Sequence, residues 1–132
     1  MKRITPDEAA AKMEEGYVYL DVRSIPEFED GHPKGAYNIP LMHAGPHGMS
    51  PNSRFMEEVA KAFPKDAKIV VGCKAGGRSV AALSLMEMAG YQNVLEQRAG
   101  FDGNGAEAGW RQTALPQSTV AEPGRSHADL KG

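Results

Sequence analysis

The sequence predicts an α/β domain built on a mainly parallel sheet. From residue 17 onward, β-rich apolar segments alternate with segments of helical spacing. The strongest β segments, Tyr17–Val22 and Lys68–Gly72, are nearly continuous apolar runs, as strands covered on both faces are. Glycine or proline closes most segments, at Gly16, Gly31, Pro40 and Gly90. A length of 132 residues fits one domain, with residues 1–117 expected to form it.

The elements follow in order. Thr5-Pro6-Asp7-Glu8 opens a helix: Thr5 at the N-cap, Pro6 at the first helical position, Glu8 placed to return the cap. Ala9, Ala10 and Met13 give it a modest apolar face, and Gly16 ends it. The strand Tyr17–Val22 comes next, then a short helix over Pro26–Asp30 stopped at Gly31. Ala36–Ile39 reads as a short strand closed by Pro40. Leu41–Ser53, with its Pro and Gly breakers, reads as a loop. Phe55, Met56, Val59, Ala60 and Phe63 are spaced for a helix over Arg54–Phe63. The strand Lys68–Gly72 is central. Arg78–Ala89 is a mostly buried helix capped by Gly90, and Asn93–Leu95 is a last short strand. Gly100–Gly109 is irregular, and residues 118–132 read as a polar, flexible tail.

Composition narrows the function. Hydrophobic residues make up 41% and charged residues 24%, which is ordinary for a globular protein. A net charge of −2 gives no reason to expect nucleic acid or an anionic membrane as partner. No apolar run is long enough to cross a bilayer, and the N-terminus turns acidic at once without a secretory h-region. The expected location is the cytoplasm.

Cys73 is the only cysteine, which excludes an internal disulfide and a Cys-x-x-Cys redox pair. It stands between the strand and the Gly-rich basic segment Lys74-Ala75-Gly76-Gly77-Arg78-Ser79, which leads into a helix. Such a loop aims backbone N–H groups at one point, and the helix N-terminus adds positive potential. In a parallel sheet, ligands sit beyond the carboxyl ends of the strands, where Cys73 lies. These surroundings, with Lys74 and Arg78, commonly lower a thiol pKa from ~8.5 toward ~7 or below. The competing reading is an inert buried thiol, and the small, cationic follow-on segment argues against it.

Other chemistries find less support. His43 and His47 share a loop with Met42 and Met49, but a His-x3-His spacing on a loop fixes no geometry, so no metal and no cofactor is expected. A Ser-His-Asp triad is not signalled. A Cys73–His32 pair stays open, although a thiolate formed by its loop needs no general base.

These residues resemble the single-domain rhodanese-like sulfurtransferases. One block is Asp21-Val22-Arg23, then Glu27-Phe28 and Gly31-His32-Pro33-Lys34-Gly35-Ala36-Tyr37-Asn38-Ile39-Pro40. The second is Cys73 to Ser79, and the third is Trp110 with Leu115-Pro116. Gly48-Met49-Ser50-Pro51-Asn52 with Phe55 is similar to small plant-type members. The resemblance covers roughly residues 4–117. It implies a rhodanese-like fold, a central five-stranded parallel sheet with helices on both faces. It implies that Cys73 alternates between thiol and persulfide, taking sulfur from thiosulfate and passing it to cyanide or a thiol. Lys74 to Ser79 would bind the donor, with Lys74 and Arg78 on its sulfonate oxygens.

The resemblance also frames the alternatives. Rhodanese-related phosphatases and arsenate reductases carry Cys-x5-Arg, whereas four residues separate Cys73 from Arg78. A persulfide carrier loaded by a partner protein is the nearer rival, and a catalytically silent anion-binding domain is disfavoured by the cysteine itself. Asp21 is expected to bond backbone amides or Arg23, and Arg23 to pair with Glu27. One departure stands out. The family has two adjacent glycines shortly before its C-terminal Trp, and this chain has Ala99-Gly100-Phe101 and then the longer Asp102–Gly109. That insertion, with Arg98 and Phe101 on one side and the His43/His47 loop on the other, is expected to rim the acceptor pocket.

Overall fold

The computed structural model describes residues 2–131. In chain order the elements are β1 (Arg3–Ile4), α1 (Pro6–Glu14), β2 (Val18–Asp21), α2 (Ile25–Glu29), β3 (His32–Pro33), β4 (Tyr37–Asn38), β5 (Met42–Gly45) and β6 (Gly48–Pro51). Then come α3 (Phe55–Ala62), β7 (Lys68–Gly72), α4 (Gly77–Met88), β8 (Asn93–Gln97), β9 (Gln117–Ser118) and α5 (His127–Lys131).

Five strands form the main sheet, in the order β1-β8-β7-β2-β4, with every pairing parallel. Apolar runs become strands here because both faces are covered. Along β7, Ile69 and Val71 face one core and Val70 the other. The first core takes Phe55 and Val59 from α3, Phe63 just after it, and Ala82, Leu83 and Met86 from α4. The second takes Ala9 from α1, Phe28 from α2, and Trp110, whose ring meets Tyr19 edge-on at 5.5 Å. Helices therefore flank both faces. The start of α1 carries the expected capping box: Glu8 N–H donates to the Thr5 hydroxyl at 3.2 Å, and Thr5 N–H to the Glu8 carboxylate at 2.9 Å.

The helix read as mostly buried, α4, buries only Ser79, Ala82, Leu83 and Met86 and leaves Val80, Leu85 and Met88 exposed, since only one of its faces meets the sheet. Two further segments differ from the sequence reading. Leu41–Ser53 is not a plain loop: β5 and β6 form an antiparallel hairpin turned at Pro46-His47, with Gly45 opposite Gly48. Its strands hold Met, His, Ala, Gly and Ser and are mostly exposed, so no alternation of apolar residues marks them. Residues 118–131, read as a flexible tail, pack on the body. β9 pairs with β3, the Arg125 guanidinium donates to the Gly35 carbonyl at 2.7 Å, and buried His127 bonds Glu58 at 3.0 Å. These anchors are polar and long-range, which composition does not reveal. No helix among the described residues is long and apolar enough to cross a membrane.

Candidate active site

β7 ends at Gly72, and Cys73 follows directly, at the carboxyl edge of the sheet. A side chain at Gly72 would collide with the Tyr19 hydroxyl, so glycine lets the strand pass under that ring. Cys73 is 2% exposed. Its sulfur accepts the Gly76 N–H at 3.1 Å, and the thiol donates to the Ser79 hydroxyl oxygen at 3.3 Å. Gly76 sits at φ +106°, and a Cβ there would come within 2.6 Å of the Arg98 carbonyl oxygen. Glycine is thus what lets this amide point at the sulfur. α4 begins at Gly77, so the helix N-terminus faces the same spot.

The loop is fastened from outside. Phe101 N–H donates to the Cys73 carbonyl at 2.8 Å, and Asp102 N–H to the Lys74 carbonyl at 2.9 Å. The start of the 101–109 segment therefore braces the loop backbone. The same segment is held by Arg98–Glu107 and Arg111–Asp102 ion pairs, at 2.7 and 2.8 Å.

Not every expected donor-binding residue is free. Lys74 and Ala75 are exposed, and Lys74 Nζ stands 4.0 Å from Asp102. Gly77 is exposed as well, whereas Gly76 and Ser79 are buried. Arg78 is bound by Glu27: its two terminal nitrogens donate to the two carboxylate oxygens at 2.7 and 3.0 Å. Burial opposes ionisation of Glu27, but bonds from Arg78 and Ser24 outweigh it and pull its carboxyl down to about 2. This corrects the expected Arg23–Glu27 pair. Arg23 instead bonds Asp21 through Nε and a terminal nitrogen, the latter at 2.7 Å, and also reaches the Gly31 carbonyl. Burial works against the Arg23 charge, yet the adjacent Asp21 charge holds its pKa above the ordinary arginine value. Asp21 also takes the Arg23 N–H, so it closes the strand as expected.

None of the candidate histidines is shown against the sulfur: His32 and His43 make ring contacts, and His47 lies exposed in the hairpin turn. His32 stacks on Phe28 at 3.7 Å, and its Nδ1 contacts the Phe28 carbonyl oxygen at 2.7 Å. His43 lies on the hairpin with its ring 5.7 Å from that of His127. Sequence reasoning missed Glu96. It is fully buried on β8, accepts the Ser79 hydroxyl at 2.5 Å and binds Arg3 Nε at 2.7 Å. A charged residue just after Val94-Leu95, in a strand of the central sheet, was the available signal.

Comparison with known proteins shows the family and the fold. A family model described as a rhodanese-like domain matches residues 5–107. Thiosulfate sulfurtransferase 16 of Arabidopsis thaliana, a chloroplastic protein, is 40% identical over 101 residues, covering 76% of this chain and 79% of the relative. Thiosulfate sulfurtransferase GlpE of Haemophilus influenzae is 32% identical over 121 residues, covering 90% of this chain and 96% of the relative. Two further plant relatives are longer, and the chain spans 52% of each. Among solved structures, Rv0390 of M. tuberculosis superposes with a TM-score of 0.77 at 25% identity, over 89% of this chain and 97% of that one.

Proposed function

The chain belongs to the rhodanese-like sulfurtransferase family, and on that premise we propose that Cys73 carries sulfur from thiosulfate to cyanide or a small thiol. The observation that supports this most is the Gly76 N–H aimed at the Cys73 sulfur at 3.1 Å within a loop opening onto a helix N-terminus. The Cys73 thiolate attacks the outer sulfur of thiosulfate. A new S–S bond forms, the bond to the sulfonate sulfur breaks, and its electron pair leaves with sulfite. The persulfide's terminal sulfur is anionic and lacks a proton, which suits N–H donors. An acceptor then attacks that sulfur, and the pair of the broken S–S bond returns to Cys73. No cofactor takes part. Nucleic acid and membrane have no role in this reading. The compartment proposed is the cytoplasm, since a sole working cysteine fits reducing surroundings.

Intact mass spectrometry tests the proposal. Thiosulfate should add the mass of one sulfur atom, cyanide should remove it, and Cys73→Ala should take up none. No mass gain on the unaltered protein overturns it.

A second reading has its own support. With Arg78 held by Glu27, a dianionic donor must compete with a carboxylate already in place. A persulfide on a partner protein or small thiol brings less charge and does not need Arg78. Slow loading from thiosulfate beside fast loading from a thiol persulfide would make this protein a sulfur carrier. The four-residue spacing from Cys73 to Arg78 disfavours a phosphatase or arsenate reductase.

A further inference from the structure

Gln97 ends β8 with no exposure at all, paired in register with Gly72, the residue before Cys73. An amide sealed in a core is costly unless each of its groups finds a partner. This one has three. Its Oε1 accepts the Gly100 N–H at 2.9 Å, and its Nε2 donates to the Gly100 carbonyl at 2.9 Å and to the Tyr19 hydroxyl oxygen at 3.3 Å. One side chain thus holds both backbone groups of a single glycine. Turning the amide over would set donor against donor and acceptor against acceptor, so only one orientation fits. Trp110 N–H reaches the same carbonyl at 2.9 Å, whereas the Gly100 N–H has its partner in Gln97.

Gly100 lies against the cysteine loop. It sits at φ +73°, and a Cβ there would come within 2.3 Å of the Lys74 carbonyl oxygen and 2.7 Å of the Ala75 nitrogen. The two residues after it donate their N–H groups to the Cys73 and Lys74 carbonyls. The peptides are trans, so each carbonyl and the N–H of the same peptide point opposite ways. Holding those carbonyls on Phe101 and Asp102 therefore turns the Lys74 and Ala75 N–H groups away from that segment. Gly76 follows directly and gives its N–H to the sulfur.

We propose that Gln97 is a positioning residue for the sulfur chemistry of Cys73: by fixing Gly100, it sets the loop peptides that surround the negative sulfur. This rests on Cys73 as the sulfur carrier. Gln97 is sealed from any donor, so it acts on the rate of transfer and not on recognition. Lys74 is exposed and does not need Gln97 to attract an anion. Preset peptide dipoles stabilise charge as it develops because they need no reordering at that moment. A loop that must first settle loses that advantage, so the chemical step slows while donor binding holds.

Single-turnover loading from thiosulfate, followed by intact mass over a range of donor concentrations, separates the two effects. Gln97→Met keeps the length of the side chain without its hydrogen bonds. The saturating rate should fall roughly tenfold or more, with the half-saturating concentration changed by less than about twofold. Val94→Ala, buried on the same strand outside this set of bonds, should lower the melting midpoint and keep the saturating rate. Hydrogen exchange in the resting protein needs no sulfur transfer. In Gln97→Met the Gly76 amide should lose roughly tenfold more protection than the Val70 amide of β7, whereas Val94→Ala should not single out Gly76. If Gln97→Met fails to fold, Gln97→Asn keeps the amide but withdraws it by one methylene, and should move both readouts the same way. An unchanged saturating rate, an equal fall in Val94→Ala, or a loss of protection at Gly76 no greater than at Val70 overturns the proposal. If the unaltered protein takes no sulfur from thiosulfate, the thiosulfate reading falls, and exchange at Gly76 still decides whether Gln97 sets the loop.

Discussion

The guanidinium of Arg78 is gripped by both carboxylate oxygens of Glu27, 51 residues earlier in the chain. The pair ties the first turn of α4 to α2 and fixes a cation beside the cysteine loop. It also means that this cation is already neutralised. A donor anion gains from Arg78 only to the extent that Glu27 yields.

Glu27→Gln therefore separates two effects. Loss of the charge-assisted bonds should destabilise the fold by about 1.5–3 kcal/mol, read from chemical denaturation. At the same time Arg78 becomes available to thiosulfate, and KM should fall several-fold with kcat little changed. A rise in KM would show that Glu27 orients Arg78 for the donor.

The same pair predicts an acid limb of stability. The folded Glu27 carboxyl lies at about 2, against an ordinary 4.5. Its folded pKa is the lower of the two, so its contribution is complete above about 4.5 and is lost as pH falls toward 2. Denaturation midpoints measured across that window should drop less steeply in Glu27→Gln than in the unaltered protein.

Lys74 is exposed and only loosely associated with Asp102. Lys74→Ala should raise KM for thiosulfate roughly tenfold, equivalent to about 1.4 kcal/mol of lost charge–charge binding. Alkylation of Cys73 by a neutral reagent should change far less. Equal losses in both assays would place Lys74 in the loop's architecture.

Gly76→Ala attacks the loop backbone. The left-handed conformation alone should cost about 1–2 kcal/mol, and the Arg98 carbonyl lies where the new Cβ must go. The amide should swing away from the sulfur, so the sulfur-loading rate should fall more than the thermal midpoint suggests. Loading kinetics and a melting curve on one preparation check both.

Substitution of His127 tests the docking of the C-terminal segment. His127→Ala leaves Glu58 with Asn52 as its remaining side-chain partner, in a nearly closed site. It should cost about 1–3 kcal/mol and open the chain to trypsin near Arg125. Unchanged proteolysis would mean that β9 and the Arg125–Gly35 bond hold the segment alone.

What could be read from the chain follows a physical division. β2 and β7 were legible because burial on both faces forces unbroken apolar runs. The start of α1 was legible because its capping groups lie within three residues. The cysteine loop was legible because its glycines and cations are contiguous. Glu27–Arg78, Glu96–Ser79 and His127–Glu58 were not, since each joins polar residues that only the fold brings together. The hairpin at residues 42–51 was hidden for another reason: it is exposed, and its backbone pairing needs no apolar pattern.

Cys73 is single and almost sealed from solvent. A loaded molecule of the proposed kind has no second thiol of its own with which to expel the sulfur as a disulfide. In that reading discharge falls to an outside nucleophile that must reach a cysteine 2% exposed in the resting protein. The lifetime of the proposed cargo would then be set by the concentration and size of that nucleophile.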